Sequence, residues 1–233
     1  MYKKFIFLIL LFFIISCNPK LANGLRKNDL KKDVEMITDD GTMVIRLSDS
    51  TPLHRDNFLK LVNKHFYDGI LFHRVIQNFM IQAGNPATKP SAKTQKPAKS
   101  IAGYTIPAEF VSSLFHQKGA IAAAREGDDA NPDKASSGTQ FYIVQGKIFS
   151  DQGLDSVQTF RLQGRNLPLP QREIYKTVGG TPHLDMNYTI FGRVISGQDV
   201  IDKIAAEPTS GRQGGDKPVK EIRILKASLI KRK

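Results

Sequence analysis

The chain has 233 residues, a formal net charge of +12 and one cysteine. A single cysteine excludes an intrachain disulfide, so a packed core must hold the fold. The positive excess invites a nucleic-acid reading, but local runs occur only at Lys31-Lys32, Lys89 to Lys99 and Lys231 to Lys233, and no RNA-binding or helix-turn-helix pattern accompanies them, so nucleic acid is not expected as a partner.

Residues 1–16 read as a targeting segment. Lys3 and Lys4 form a positive start, and Phe5 to Ile15 is an unbroken apolar run of eleven residues, too short for a stable membrane span. The run ends in Ile14-Ile15-Ser16-Cys17, which resembles a bacterial lipobox, a site cut before a cysteine that then receives lipid. Cys17 stands where such a site needs its thiol; the other readings are an ordinary cleavage site nearby or an uncleaved anchor. Removing the leader's two lysines lowers the charge from +12 to +10. The remaining charge reads as solvated surface, with contact to anionic lipid headgroups as the second reading. Residues 17–33 are polar and of mixed charge, which predicts a flexible tether. A single domain is expected over 34–230.

Val34 to Leu47 predicts a hairpin about Asp39-Asp40-Gly41, where glycine accepts positive φ. Thr51-Pro52 opens a helix, with Phe58, Leu61, Val62 and His65 at helical spacing and Asp68-Gly69 as its end. From there the pattern turns to short strands: Leu71 to Val75, Met80 to Gln82, Ala120 to Ala124, Gln140 to Val144, Thr189 to Val194 and Val219 to Leu225. Asp199 to Ala205 predicts a second, short helix. Short strands without a βαβ rhythm point to a mainly β, closed antiparallel barrel. Two segments exceed a minimal barrel. Asn85 to Ser100 is rich in Lys, Pro, Ala and Ser and predicts a mobile loop. Residues 148–180 form an insertion in which Leu154, Val157, Phe160, Leu162 and Arg172 to Lys176 predict one or two small helices packed on the rim. Loops this long are uncommon unless they are functional or disordered. Substrate contact and a purely structural elaboration are the two readings.

Residues 72–84 read Phe-His-Arg-Val-Ile-Gln-Asn-Phe-Met-Ile-Gln-Ala-Gly, and Gly138 to Val144 read Gly-Thr-Gln-Phe-Tyr-Ile-Val. Together these segments resemble the two signatures of cyclophilin-type peptidyl-prolyl cis-trans isomerases, and the resemblance extends over about Val34 to Leu225. It implies an eight-stranded barrel capped by two helices, with rotation about X-Pro bonds as the activity and no cofactor. Such rotation crosses a barrier of about 18–20 kcal/mol without breaking a bond. It calls for an apolar slot for the proline ring and a fixed donor to the nitrogen that becomes pyramidal in the twisted amide.

By the same resemblance Arg74 is the catalytic donor and Gln82 holds a backbone group of the substrate. Phe79, Met80, Ala124, Gln140, Phe141, Tyr142, Leu184, His183 and Tyr188 form the substrate site. Taken alone, Phe79 and Met80 would read as core and Arg74 as a rim arginine. His183 replaces a tryptophan of many eukaryotic members, Tyr188 a histidine and Arg125 an asparagine. The lost indole donor predicts weak affinity for cyclosporin. Other chemistries lack support. His54, His65, His73, His116 and His183 have no metal-ligand spacing, no Gly-x-Ser-x-Gly elbow is present, and Glu126 to Asp133 lacks the order of a calcium loop. The resulting expectation is a monomeric isomerase acting on unfolded or partly folded exported polypeptides, anchored in the cell envelope through lipidated Cys17 and facing the periplasm. A non-catalytic chaperone or scaffold that binds proline segments on the same fold is the alternative.

Overall fold

The computed structural model describes residues 24–90 and 103–232. The predicted leader, Cys17 and most of the Asn85 to Ser100 loop lie outside the described residues. Strands β1 (Lys32–Thr38) and β2 (Gly41–Leu47) form the expected hairpin, with Gly41 at φ +138° in its turn. Helix α1 (Pro52–Asn63) follows, with proline in its first turn. Next come β3 (Arg74–Ile76), β4 (Met80–Ala83), β5 (Thr105–Ile106), β6 (Ala120–Ala123), β7 (Ser136–Ser137) and β8 (Phe141–Val144). The insertion supplies α2 (Asp151–Phe160) and α3 (Leu169–Thr177), and the chain ends with β9 (Ile190–Ser196), α4 (Gln198–Ala205) and β10 (Ile224–Lys231).

Eight strands form one antiparallel sheet in the order β10-β1-β2-β9-β6-β8-β4-β3, and β5 pairs with β7 beside it. The sheet curls until its edges meet, but the seam is not a full ladder. Leu71 and Arg223 make an isolated bridge, flanked by bonds from Phe72 N–H to Ile222 O (2.9 Å) and from Ile224 N–H to Ile70 O (2.8 Å). The architecture is the expected mainly β one, closed at its seam by a few bonds.

Strand alternation separates two hydrophobic clusters. Val75, Ile81, Ala83, Ile121, Ala123, Phe141, Ile143 and Phe191 point inward, into the core that α1 and α4 plug with Phe58, Leu59, Val62, Val200, Ile201 and Ile204. Their neighbours Met80, Ala120, Ala122, Tyr142, Val144 and Ile190 form a cluster on the other face of the same strands. A third cluster, Leu154, Leu162, Leu167 and Tyr175, belongs to the insertion and packs on Phe115 and Phe149.

Three expectations are corrected. The tether does not extend to residue 33: Lys27–Lys31 is a 3-10 helix, and β1 already begins at Lys32. Asp33 is only 1% exposed because Arg46 grips both its oxygens, at 3.0 and 2.8 Å. The last strand is Ile224–Lys231, not Val219 to Leu225, because pairing with β1 starts at the Thr38–Ile224 register while Val219 lies exposed. Phe160 does not pack on the rim: it sits on the outer side of α2 at 79% exposure.

Candidate active site

The site lies on the outer face of the sheet, where period-2 alternation brings together residues from neighbouring strands. On β3 and β4, Arg74 and Gln82 are register partners. Met80 lies two residues before Gln82 and so on the same face, and Gln82 in turn pairs with Tyr142 on β8. These four, with Phe79, Ala124, Arg125, Leu184 and Tyr188, line a cleft of about 100 Å³. Pockets for drug-sized ligands begin at roughly 300 Å³, so this one suits a single side chain. A larger cleft of about 440 Å³ adjoins it, sharing Gln82, Ala124 and Arg125 and reaching to Tyr104, Asn131, Ser137 and Gln140.

Arg74 borders the small cleft with its side chain 41% exposed, and its Nε lies 3.3 Å from Asp216 Oδ2. The loop carrying Asp216 is tied to the same strand, since Val75 N–H donates to Asp216 O at 2.9 Å. The guanidinium is thus held on its Nε side, and among the described residues its terminal nitrogens have no hydrogen-bond partner. Gln82 Nε2 donates to Gln140 Oε1 (3.2 Å), which joins the two clefts through paired amides.

The walls are aromatic. Phe79 stacks on His183, with centroids 5.6 Å apart and planes 22° from parallel. Burial, chiefly, pushes the His183 pKa down to about 4, with Arg161 adding to the effect, so the wall is neutral near pH 7. Tyr188 meets Tyr142 edge-on at 5.7 Å and 83°. Arg125 caps Tyr188, its guanidinium 4.7 Å from the ring centroid. That guanidinium is committed elsewhere too: Nε donates to Asn187 O (2.8 Å), and one terminal nitrogen pairs with Asp128 at 2.6 Å. Arg125 therefore braces a wall of the slot.

Tyr142, on the slot floor, is buried, and that burial raises its pKa well above the phenolic value, so its hydroxyl stays protonated. The hydroxyl meets His116 Nε2 at 2.9 Å. His116 Nδ1 in turn lies 2.9 Å from Asp185 Oδ1, and Tyr175 OH donates to Asp185 Oδ2 at 2.7 Å.

Of the predicted site residues, Arg74, Phe79, Met80, Gln82, Ala124, Tyr142, Leu184 and Tyr188 line the small cleft, and Gln140 lines the larger one. His183 lines neither cleft and reaches the site only by stacking on Phe79. Phe141 is a correction: one position from Tyr142 in a strand, it points to the opposite face, is 1% exposed and packs against Phe58 and Tyr67 in the interior. Sequence reasoning missed Asp216, His116, Asp185 and Tyr175. Asp216 and His116 lie far along the chain from their partners Arg74 and Asp185, while Tyr175 and Asp185 are only ten residues apart; the available signal was a tyrosine in place of phenylalanine at 142, a buried hydroxyl in need of an acceptor.

A curled antiparallel sheet with a proline-sized slot on its outer face defines a class, and the comparisons agree with it. Residues 33–229 match the family described as cyclophilin type peptidyl-prolyl cis-trans isomerase/CLD. A Staphylococcus epidermidis protein named "Putative peptidyl-prolyl cis-trans isomerase" is 34% identical over 205 residues, covering 88% of this chain and 93% of that one. A Staphylococcus saprophyticus protein of the same name is 32% identical over 213 residues, covering 91% and 98%. The chain belongs to the cyclophilin-type peptidyl-prolyl cis-trans isomerases. The crystal structure of a Cryptosporidium parvum isomerase of this type shares the fold, with a TM-score of 0.61 and 23% identity over 87% of this chain and 99% of its own. A second crystal structure of it, in the presence of the dipeptide Ala-Pro, gives a TM-score of 0.60.

Proposed function

We propose that the chain catalyses cis/trans rotation about X-Pro bonds, with the proline ring seated on Met80 and Tyr142 between Phe79, Leu184 and Tyr188. The observation that carries this reading is the register pairing of Arg74 with Gln82 at the mouth of the single-ring cleft. Arg74 then reaches the proline nitrogen from the side not held by Asp216. As the amide twists and its resonance is lost, the nitrogen regains a lone pair that the guanidinium can bond. That bond forms only in the twisted state, so it lowers the barrier rather than merely tightening binding. Gln82 holds a backbone group of the substrate, and the residue preceding proline extends toward the larger cleft. The slot is complete within one chain, which fits a monomer. The substrates are unfolded or partly folded exported polypeptides, met at the cell envelope, where lipid on Cys17 holds the domain facing the periplasm.

A positioned donor of this kind is worth about 2.7–4 kcal/mol, by analogy with oxyanion-hole deletions. Arg74→Ala is therefore expected to fold normally, by far-UV circular dichroism, and to lose about a hundredfold in kcat/KM. NMR exchange spectroscopy on an Ala-Pro peptide with wild type beside the mutant checks this. Exchange no faster than in buffer, with peptide still bound, would assign the chain instead to the non-catalytic binding class.

A further inference from the structure

The insertion is wired to the floor of the slot. Tyr175, on α3, is fully buried and donates to Asp185 Oδ2 at 2.7 Å. The other Asp185 oxygen takes both the backbone N–H of His116 (2.8 Å) and its Nδ1 (2.9 Å). With Nδ1–H given to the carboxylate, Nε2 is the acceptor that the Tyr142 hydroxyl requires, and it lies 2.9 Å away. A buried hydroxyl left without an acceptor is costly, so the Tyr142 ring can tilt only as far as His116 allows.

The backbone here serves both sides. Leu114 packs in the slot cluster and Phe115 in the insertion cluster, while His116, wholly buried between them, carries the chain of hydrogen bonds. Gly180 makes the approach possible. Thr181 N–H donates to His116 O at 2.8 Å, and a Cβ on Gly180 would strike both that carbonyl and the Tyr175 ring. Asp185 is also tied to the insertion through its carbonyl, which accepts from an Arg165 guanidinium nitrogen at 2.6 Å.

We propose that the 148–180 insertion positions the proline-binding floor, with Tyr175, Asp185 and His116 acting as positioning residues that fix the Tyr142 ring. This rests on the assignment of the slot to proline. The ring touches proline equally in the planar and twisted states, so the effect falls on binding and not on the chemical step.

The test is a double-mutant cycle between Tyr175→Phe and Tyr142→Phe, each removing one oxygen while keeping the ring. Read-outs are KM and kcat by exchange spectroscopy, the Kd of an Ala-Pro peptide by NMR titration, and thermal unfolding as a control for fold. Tyr175→Phe alone is expected to raise KM and Kd about fivefold with kcat within about twofold. In the Tyr142→Phe background the same change should leave both constants where they were, since the link is already cut. Rises that multiply across the two substitutions, or a Tyr175→Phe protein with unchanged peptide affinity, would overturn the proposal; a purely stabilising role for Tyr175 would move the unfolding midpoint alone. Because Kd does not depend on turnover, coupling in Kd without catalysis would sustain this inference while removing the isomerase reading. Turnover that Arg74→Ala abolishes, with no coupling, would do the reverse.

Discussion

His183 shows how one residue ties the slot to the stability of the domain. It is neutral in the folded protein because burial pushes its pKa down to about 4, from 6.5 for an open imidazole. Between those values the unfolded chain takes up a proton that the folded one refuses, so stability is fully present above about pH 6.5 and is lost as the pH falls toward 4. Burial also lowers the pKa of His54 and His73, which contribute with the same sign. The urea midpoint is therefore expected to drop over that range, and His183→Phe, which preserves the stack on Phe79, should give a shallower drop. An identical pH slope in mutant and wild type would count against it. At this scale Arg74, Met80 and Gln82 were legible only through the resemblance of their segment to a family signature, and the structure brings all three to one cleft. Phe141 was placed in the site by the same resemblance, whereas strand alternation gives the outward position to its neighbour Tyr142 and turns Phe141 into the core. Asp216 and His116 were illegible: their roles come from loops that approach only once the sheet has curled.

Among the elements, α2 and α3 are stabilised by a small core of their own. Leu154 is wholly buried there, whereas Phe160 on the same helix faces solvent. Leu154→Ala is expected to cost about 2–5 kcal/mol, and Phe160→Ala to stay within about 0.5 kcal/mol of wild type. Urea unfolding of the two proteins side by side measures the contrast, and equal effects would mean that the helix buries a different face. The helices were legible from their apolar spacing, but which face turns inward depends on Phe115 and Phe149, which the spacing cannot reveal. The hairpin was legible because its turn and alternation agree. The last strand was displaced because Ile222 and Ile224 carry the stronger apolar signal, whereas Lys226, Ala227 and Ser228 actually pair with β1. An edge of modest apolarity is identified only by its partner.

For the whole molecule, the join between the two ends of the domain matters most. Asp33, nearly fully buried, is held by Arg46 on β2, and the Arg232 guanidinium lies 3.4 Å away at the far end of the chain. Asp29 adds bonds to the backbone of Arg26 and to Lys32. Protein beginning at residue 34 is expected to unfold at a lower temperature than protein beginning at residue 24, with unchanged slot residues. Equal midpoints in calorimetry would restore the longer tether. A polar, mixed-charge stretch looks like a tether in sequence because its most deeply buried carboxylate, Asp33, is paired with arginines distant along the chain. The circular strand order carries a consequence for orientation. Counted around the ring, β1 is the fourth neighbour of β8 in either direction, and so stands across from it. The domain's leading strand is thus four strands removed from the tyrosine floor by either route, the second passing through the seam bridge. A support that grips the molecule by that end, a bilayer or a sensor chip alike, therefore takes hold of strands that contribute no residue to the slot.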